Sequence, residues 1–564
     1  MMCYYYDMQK EELQNFFNNE NKVFQLNCIS DSLLNSFDEN LLSLFDENTF
    51  SKEVYAVYKK FSSMDMDAPD KLKNELFDKV RNFAKEQIVQ KKYVEALLLY
   101  RFLLVKSNLL ADDYAEIGLL FSYCGLLDLA QEFMIVYKSV EVNKPLAFIT
   151  LANFYNFQLK DYKTAIKYYE KYLQIDSTKS VVYTIVGSLY KKAYGNSSLK
   201  EQIYCYEMAD RLKPDDRLIT HMLAFSCESA GNKSKARMYY DRLMHLNPTE
   251  IDYYNYGAFL ISCGEFVLGH KYFTHRFLVD DDNLRYPFEL NPEKRWDLNS
   301  DISDKVLLVH YEQGFGDTFM YCRFVPALRN LAKKVIFVVQ DSLVDLIRNS
   351  ESISDGIDVV SDKQDLSCLK FDLHMALLDV PYVLKTSVDS IPYKDGYLTV
   401  SAQKVSEYGD KYIRNSNNLK VGISCCGDKT ANYSGRDIPL EKFKMITNIP
   451  GIDFYFLQMD SEINDDKIIP LGSSFSTFTE TAMAVKNMDI VITTDNVILN
   501  LAGALGVKTI ALYNKQTNYR WYKLDGKDVG WYKSVIPLQA DSQDNWDPVL
   551  FHLVNMLTDY TKLK

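Results

Sequence analysis

Several features that mark particular protein classes are absent from this sequence of 564 residues. It has no run of 18 apolar residues, and its first residues carry acids where a secretory signal is basic and then apolar. Lysine and arginine form no cluster and the net charge is −12, which argues against a nucleic-acid-binding surface. The ten cysteines include no CxxC pair, which argues against a zinc site or a disulfide framework. We therefore expect a cytoplasmic protein with no membrane span, no nucleic-acid partner and no bound metal.

Small residues recur in the first half of the chain at intervals close to 34 residues. One series comprises Ala84, Gly118, Ala152, Gly187, Ala224 and Ala258. A second series follows it by 12 or 13 residues and comprises Ala96, Ala130, Ala165 and Ala236. Small residues in such a register are typical of helical hairpins, because they allow the two antiparallel helices to approach closely. The alternative is a generic helical bundle in which the spacing is accidental.

The register resembles that of the tetratricopeptide repeat, whose unit has 34 residues. We predict about six repeats over residues 75–285, preceded by a helical N-terminal cap at residues 1–74. The extra residues AYGNSSLKEQ before the second helix of one unit predict a lengthened loop within that repeat.

The pattern changes after residue 300, where short apolar, β-branched runs alternate with segments of helical length. The runs are 305–310, 334–340, 371–377, 420–424, 453–458, 489–494 and 508–513. Such alternation is typical of parallel sheets built from βαβ units. A weakly helical segment at 402–415 separates the third run from the fourth. We therefore predict two Rossmann-like modules with a boundary near residues 400–418.

A glycine turn follows the first predicted strand. The sequence EQGFGDT places Gly314 and Gly316 in the turn and Asp317 at the predicted start of a helix. Glycines let the backbone bend and let a ligand approach, the helix start offers N–H groups, and a carboxylate there can act as a base. A tight turn with a helix cap explains the same residues equally well.

Two further segments carry candidate ligand-binding residues. The strand DIVITT leads into Asp495, where the backbone N–H groups of residues 495–497 lie at the carboxyl end of the sheet and can receive a diphosphate. The loop after KVGIS contains Lys429 and Arg436, which can neutralise a pyrophosphate leaving group. Solvated surface charges are the alternative interpretation of these two cations.

The motifs together resemble the glycosyltransferases related to ADP-heptose transferases (family nine), in the branch with N-terminal tetratricopeptide repeats. The resemblance covers most of residues 293–550 and includes RWD, EQGFGDT, CRFVPAL, RDIPL, DIVITTD, LAGALG and NYRWY. It implies a tetratricopeptide superhelix followed by a GT-B fold of two Rossmann-like domains. The acceptor-side domain is then expected at 286–405 and the nucleotide-sugar domain at 406–540. A C-terminal helix at 541–564 is expected to return toward the N-terminal GT-B domain.

The resemblance also implies a role for individual residues. Asp317 is the expected catalytic base, and the acceptor or phosphate loop comprises Gln313, Gly314, Phe315 and Gly316. The expected donor-binding residues are Gly427, Lys429, Arg436, Asp495, Asn496, Val497 and Asn500. The expected activity is metal-independent hexosyl or heptosyl transfer from a UDP-, ADP- or GDP-linked sugar, with no cofactor.

The chain departs from the family pattern near the expected donor. Relatives usually have Thr or Ser after the aspartate and a histidine four residues further on, whereas this chain has Asn496 and Asn500. Asparagine can form hydrogen bonds but carries no positive charge. Cys425 stands where relatives usually have tryptophan.

Two classes of function are compatible with these motifs. The first is a glycosyltransferase whose repeats hold a protein acceptor, with a flagellar or surface protein as the candidate. The alternative is a non-catalytic scaffold or partner subunit with a degenerate GT-B domain, which the two asparagines favour. A third interpretation, transfer to a lipid or glycan, lacks a basic membrane-binding helix.

Overall fold

The structure is a computed structural model that describes residues 31–44, 70–106, 109–140, 144–279, 290–427, 436–459 and 465–563. The chain divides into two compact units, Met1–Ser226 and Cys227–Lys564. The helices up to the end of the repeats are α1 (Asp31–Ser43), α2 (Asp70–Val89), α3 (Tyr93–Val105), α4 (Ala111–Tyr123), α5 (Leu127–Val140), α6 (Pro145–Asn153), α7 (Tyr162–Ile175), α8 (Ser180–Tyr194), α9 (Leu199–Leu212), α10 (Arg217–Ser229), α11 (Lys233–Leu243), α12 (Glu250–Ser262) and α13 (Phe266–Phe273).

Helical hairpins confirm the tetratricopeptide-like architecture of the first half. In the first unit, α2 packs on α3, α4 on α5, α6 on α7 and α8 on α9. The predicted small residues lie where the helices of a pair meet: a Cβ added to Gly118 would lie 3.0 Å from the carbonyl oxygen of Ala130. In the second unit α12 packs on α13. Their closest approach is at Gly257 and Gly269, so Gly257 rather than the predicted Ala258 holds the small-residue position.

Two further features predicted from the sequence are a lengthened loop within one repeat and a helical N-terminal cap. The predicted long loop is a one-turn 3-10 helix, Gly195–Ser198, which joins α8 to α9. Before the first hairpin, α1 packs on α3 and α5. Phe37 of α1 contacts Phe121 edge-on at 4.9 Å, and Asp38 forms a buried ion pair with Arg101. The described part of the predicted N-terminal cap is therefore helical and covers apolar residues of the hairpins.

The second unit contains two parallel sheets. The strands are β1 (Val306–His310), β2 (Lys334–Val339), β3 (Ile357–Ser361), β4 (Leu373–Ala376), β5 (Leu419–Ser424), β6 (Ile452–Phe456), β7 (Ile468–Pro470), β8 (Ile490–Thr494), β9 (Thr509–Tyr513) and β10 (Val535–Gln539). The first sheet has the order β3-β2-β1-β4, and the second has the order β10-β9-β8-β5-β6-β7. Each of the seven predicted runs forms a strand, and the two sheets confirm the predicted pair of Rossmann-like domains.

Helices follow most of these strands. They are α14 (Phe315–Tyr321), α15 (Val344–Arg348), α16 (Glu351–Ser354), α17 (Val380–Val383), α18 (Ala402–Tyr412), α19 (Lys444–Thr447), α20 (Phe478–Lys486), α21 (Val497–Ala504) and α22 (Asp547–Leu563). The weakly helical segment predicted at 402–415 is α18, which lies between the two sheets in sequence. The domain bounds given above stay predictions.

The prediction that the last helix returns to the first Rossmann-like domain is wrong. Val549, Leu550, Leu553 and Leu557 of α22 belong to the apolar core that also contains β5, β6, β8 and β9 of the second sheet. These side chains recur at helical spacing and cover one face of that sheet, so the helix is retained by its own domain. A different segment, residues 514–534 between β9 and β10, contacts the first domain instead. We call it the crossing segment.

Candidate functional site

Asp317 lies at the carboxyl end of the first sheet. β1 ends at His310, and the chain turns through Gln313, whose φ of 61° is unusual for a residue with a side chain. Gly314 then caps α14, in which Asp317 is the third residue. Only 13% of the Asp317 side chain is exposed. The predicted loop therefore places a largely buried carboxylate at the start of a helix.

An arginine of the crossing segment meets this carboxylate. Arg520 forms an ion pair with Asp317 through Nη2 and donates from the same nitrogen to Oε1 of Gln313 at 2.5 Å. Its Nη1 donates to Oδ1 of Asn518 at 2.7 Å. The sequence analysis assigned no role to Arg520. It lies 203 residues from Asp317 by their numbering, and its one sequence signal is a single arginine within the aromatic segment NYRWY.

Burial governs the electrostatics of Asp317. Burial raises the pKa of its carboxyl above the usual value, and the Arg520 charge opposes this rise, whereas the charges of Glu312 and Asp495 add to it. Asp495 belongs to the other Rossmann-like domain. Gly316, next to Asp317, lies beside Val497, which follows Asp495 by two residues, so the carboxyl ends of β1 and β8 face one another.

Asp495, Arg436 and Gly427 come together at the carboxyl end of the second sheet. Nη1 of Arg436 lies 3.5 Å from the backbone oxygen of Asp495. The guanidinium lies directly against Gly427, because a Cβ added there would be 2.4 Å from Nη2. Burial raises the pKa of Asp495, and Trp521, Arg520 and Arg436 oppose that rise. Lys429, the other predicted donor-binding cation, lies outside the described residues.

Asn496 is the N-cap of α21. Its Oδ1 accepts from the backbone N–H of Ile498 at 2.9 Å, and its Nδ2 donates to Oγ of Ser424 at 2.9 Å and to the carbonyl of Cys426 at 3.2 Å. Asparagine caps a helix as well as serine does and better than threonine. The departure from the family residue therefore preserves the helix start and ties the end of β8 to the end of β5.

Asn500 lies between two helices rather than in an open cleft. It is buried on α21, where its Oδ1 accepts from the Tyr532 hydroxyl at 3.1 Å. Its Nδ2 would lie 3.0 Å from a Cβ added to Gly316, so α14 and α21 cross closely at this point. Val497 is the first residue of α21 and lies next to the same glycine. Gly316 is thus explained by helix packing.

The remaining loop residues have separate environments. Among the described residues, no atom outside its own chain neighbours lies within 4 Å of the Cβ position of Gly314. The Phe315 side chain is 39% exposed and its ring contacts Phe478 of the second domain at 4.9 Å.

The last repeat hairpin contributes a buried cation to the carboxyl end of the first sheet. Arg276, in the 3-10 turn after α13, donates from Nε and Nη2 to the two carboxylate oxygens of Glu312 at 2.7 and 2.5 Å. Its Nη1 donates to Asp379 at 2.5 Å. All three side chains are almost fully buried. Sequence reasoning missed Arg276, because its partners are 36 and 103 residues away.

Two searches for other kinds of site gave no candidate within the described ranges. No group of three or more His, Cys, Asp or Glu residues there could hold a metal ion. Among the same residues, no helix is both long and apolar enough to cross a membrane.

Comparisons with known proteins gave partial matches. No family model matches the chain. Protein FlbA of Caulobacter vibrioides is 22% identical over 299 residues, and the match spans 48% of this chain and 49% of FlbA. The chain therefore spans about half the length of this curated relative.

Solved structures match parts of the chain. A glycosyl transferase family 9 structure from Veillonella parvula covers 43% of this chain and 88% of its own, with 14% identity and a TM-score of 0.33. A MamA structure from Desulfovibrio magneticus covers 30% of this chain and 94% of its own, with 18% identity and a TM-score of 0.27.

Proposed function

We propose that this chain is a metal-independent glycosyltransferase that moves a sugar from a nucleotide-sugar to a protein acceptor. The observation that carries the proposal is that the loop of Asp317, at the carboxyl end of the first sheet, packs at Gly316 against the start of α21, beside Asp495 and Arg436 at the carboxyl end of the second. Ligands of doubly wound sheets bind at such ends.

Asp317 is the proposed general base. It takes the proton of the acceptor hydroxyl while that oxygen forms a bond to the anomeric carbon of the sugar. The bond from this carbon to the diphosphate oxygen breaks, and the nucleoside diphosphate leaves with the electron pair. Only 13% of the Asp317 side chain is exposed, so water reaches it less readily than an open carboxylate, and we expect hydrolysis to be slower than transfer to the protein acceptor.

The proposed diphosphate site comprises Arg436 and the backbone amides of residues 495–497. Because Gly427 has no side chain, the Arg436 guanidinium lies close to the strand end. The Asn496 side chain already binds the amide of Ile498, so the cap does not use the amides proposed for the diphosphate. Lys429 stays a predicted second cation. The sugar and the nucleotide are left open among UDP, ADP and GDP.

The repeat hairpins are proposed to hold the protein acceptor. The first unit contains a groove of about 690 Å³ between α7, α8 and α9, whose lining includes Glu170, Tyr183, Tyr190, Lys200 and Tyr204. Tyrosines and charges at a surface groove suit the recognition of a polypeptide. A flagellar or surface protein as acceptor, and a cytoplasmic location, stay predictions from the sequence.

The second candidate is a non-catalytic scaffold. Asn500 favours it, because this side chain is occupied by Tyr532 and lies between two helices. A scaffold would not need to bind a nucleotide-sugar.

Nucleotide binding distinguishes the two candidates. We expect calorimetry to show that the full chain binds one of UDP, ADP or GDP, and that Arg436→Gln weakens this binding by about tenfold or more, since a charged hydrogen bond to the diphosphate is lost. Arg414→Gln, on an exposed arginine of the same domain, is the matched control. If the wild type neither binds nor turns over any nucleotide-sugar, the scaffold is the correct function.

A further inference from the structure

Arg520 has no place among the residues assigned above to the base, the diphosphate or the acceptor. It belongs to the crossing segment of the second Rossmann-like domain, yet it forms an ion pair and a hydrogen bond with the loop of the first domain. These contacts are the Asp317 carboxylate and Oε1 of Gln313. Two residues of one catalytic loop are therefore bound by one guanidinium from the other domain.

The crossing segment holds Arg520 in a fixed position. The Trp531 indole N–H donates to the Arg520 carbonyl at 2.7 Å. Trp531 itself is fully buried and stacks on Phe266 of α13 at 5.2 Å. Arg323 of the first domain donates to the Trp531 carbonyl at 2.8 Å. These contacts fix the backbone at Arg520, and Oδ1 of Asn518 accepts from its guanidinium at 2.7 Å, so the side chain loses less entropy when it pairs with a carboxylate.

Asp317 needs a cation, because its other neighbours disfavour its ionised form. The titratable and charged groups that face it are Glu312 of the same loop, Tyr321 of α14, Asp495 after β8, and Tyr519 and Arg520 of the crossing segment. Of these, Arg520 alone is positive. A buried carboxylate beside two other acids becomes protonated unless an opposite charge lies close to it, and a protonated acid cannot accept a proton.

We propose that Arg520 is a positioning residue for the Asp317 base, holding that carboxylate in place as an anion in the contact between the two domains. This inference rests on the proposed function. The inference goes beyond the proposed function because both domains contribute to the base. The first domain supplies the carboxylate, and the second supplies the cation that keeps the carboxylate charged. The acceptor side of the site is thus complete only when the crossing segment lies against the loop.

The pH dependence of turnover tests the proposal. Nucleotide-sugar hydrolysis, with water as the acceptor, is measured for wild type, Arg520→Gln, Arg520→Lys and the exposed control Arg329→Gln. We expect the acid limb of kcat/KM to move about 1–3 pH units upward in Arg520→Gln, because removing a nearby cation raises the pKa of a carboxylate by that amount. Arg520→Lys keeps a cation and should return the acid limb most of the way to its wild-type position, and Arg329→Gln should show no shift. The KM for the donor should change less than about twofold.

A rise in donor KM with an unmoved acid limb would overturn the proposal and assign Arg520 to the diphosphate. A second readout does not depend on activity: infrared titration of protein labelled with 13C-aspartate, from which the Asp317→Asn spectrum is subtracted. The Asp317 carboxyl should titrate at higher pH in Arg520→Gln than in wild type, and equal titration would overturn the proposal. If wild type turns over no nucleotide-sugar, the proposed function fails while this titration still decides the role of Arg520.

Discussion

Arg276 and Glu312 form a two-bonded ion pair at the point where the last repeat hairpin meets the first sheet. Glu312 begins the loop that carries Asp317, and Arg276 also binds Asp379 beyond β4. A single buried guanidinium thus compensates two buried carboxylates. It follows that the last hairpin is part of the structure that supports the loop of Asp317, and the second compact unit accordingly begins at Cys227, within the repeats.

Removing this guanidinium should be strongly destabilising. Arg276→Met leaves Glu312 and Asp379 buried without their cation, and we expect a loss of about 3–5 kcal/mol in the free energy of unfolding at pH 7. Urea denaturation of the full chain measures it. Arg329→Met removes an exposed pair with Asp355 and should cost less than about 1 kcal/mol.

The loss of stability in Arg276→Met should also depend on pH. Burial raises the pKa of Asp379 in the folded protein, so its ionised form is the unfavourable one there. Without Arg276, the pKa of Asp379 in the folded state rises further above its value in the unfolded state. As the pH falls through this folded-state pKa, the carboxylate becomes protonated, and the cost of burying its charge disappears. The destabilisation should therefore be smaller at pH 5 than at pH 7. A loss that grows on acidification would contradict this account of the pair.

A histidine at position 500, as in the glycosyltransferases that the sequence resembles, should not improve donor binding. Asn500→His places a larger ring between Gly316 and Tyr532, where the helices α14 and α21 already touch. We expect a loss of about 1–3 kcal/mol in stability from overpacking, with no gain in nucleotide affinity. Thermal unfolding and calorimetry measure the two effects. Tighter nucleotide binding in this variant would show that Asn500 faces the donor after all.

We expect that the last hairpin does not tolerate a larger residue at Gly257. A Cβ at this position would lie 2.6 Å from the backbone nitrogen of Phe273, which cannot move aside as a flexible side chain can. We expect Gly257→Ala to lower stability by about 1–3 kcal/mol. Gly314→Ala is the control, because no atom of the neighbouring described segments lies within 4 Å of its Cβ position. Equal stability of the two variants would refute the proposed close approach.

Much of the fold was predictable because buried parallel strands are nearly continuous apolar runs, as in β1 and β8. The strands that sequence reasoning missed, β3, β7 and β10, all lie at the edges of their sheets. β7 has only three residues, and β3 and β10 alternate buried with partly or fully exposed side chains, so none of them is a continuous apolar run. β10 contains Pro537, which an edge strand tolerates because one side of its backbone has no partner strand.

The sequence pattern could identify site residues only where those residues follow predicted strands. Asp317, Arg436 and Asp495 lie at or near the carboxyl ends of β1, β5 and β8, and parallel topology brings such ends to one edge of each sheet. Arg520 and Arg276 act across domain and hairpin contacts, and no local pattern encodes a partner that is distant in sequence. The environment of Asn500 could not be predicted for a related reason: its burial depends on a crossing helix, and its role in donor binding stays a prediction.

The activity of Asp317→Asn tests the central claim most directly. This variant keeps the size and shape of the side chain but cannot accept a proton. We predict that wild-type protein transfers or hydrolyses sugar from a nucleotide-sugar, and that Asp317→Asn lowers kcat by about 10²–10⁴-fold while the nucleotide still binds. Turnover by Asp317→Asn at the wild-type rate would contradict the account.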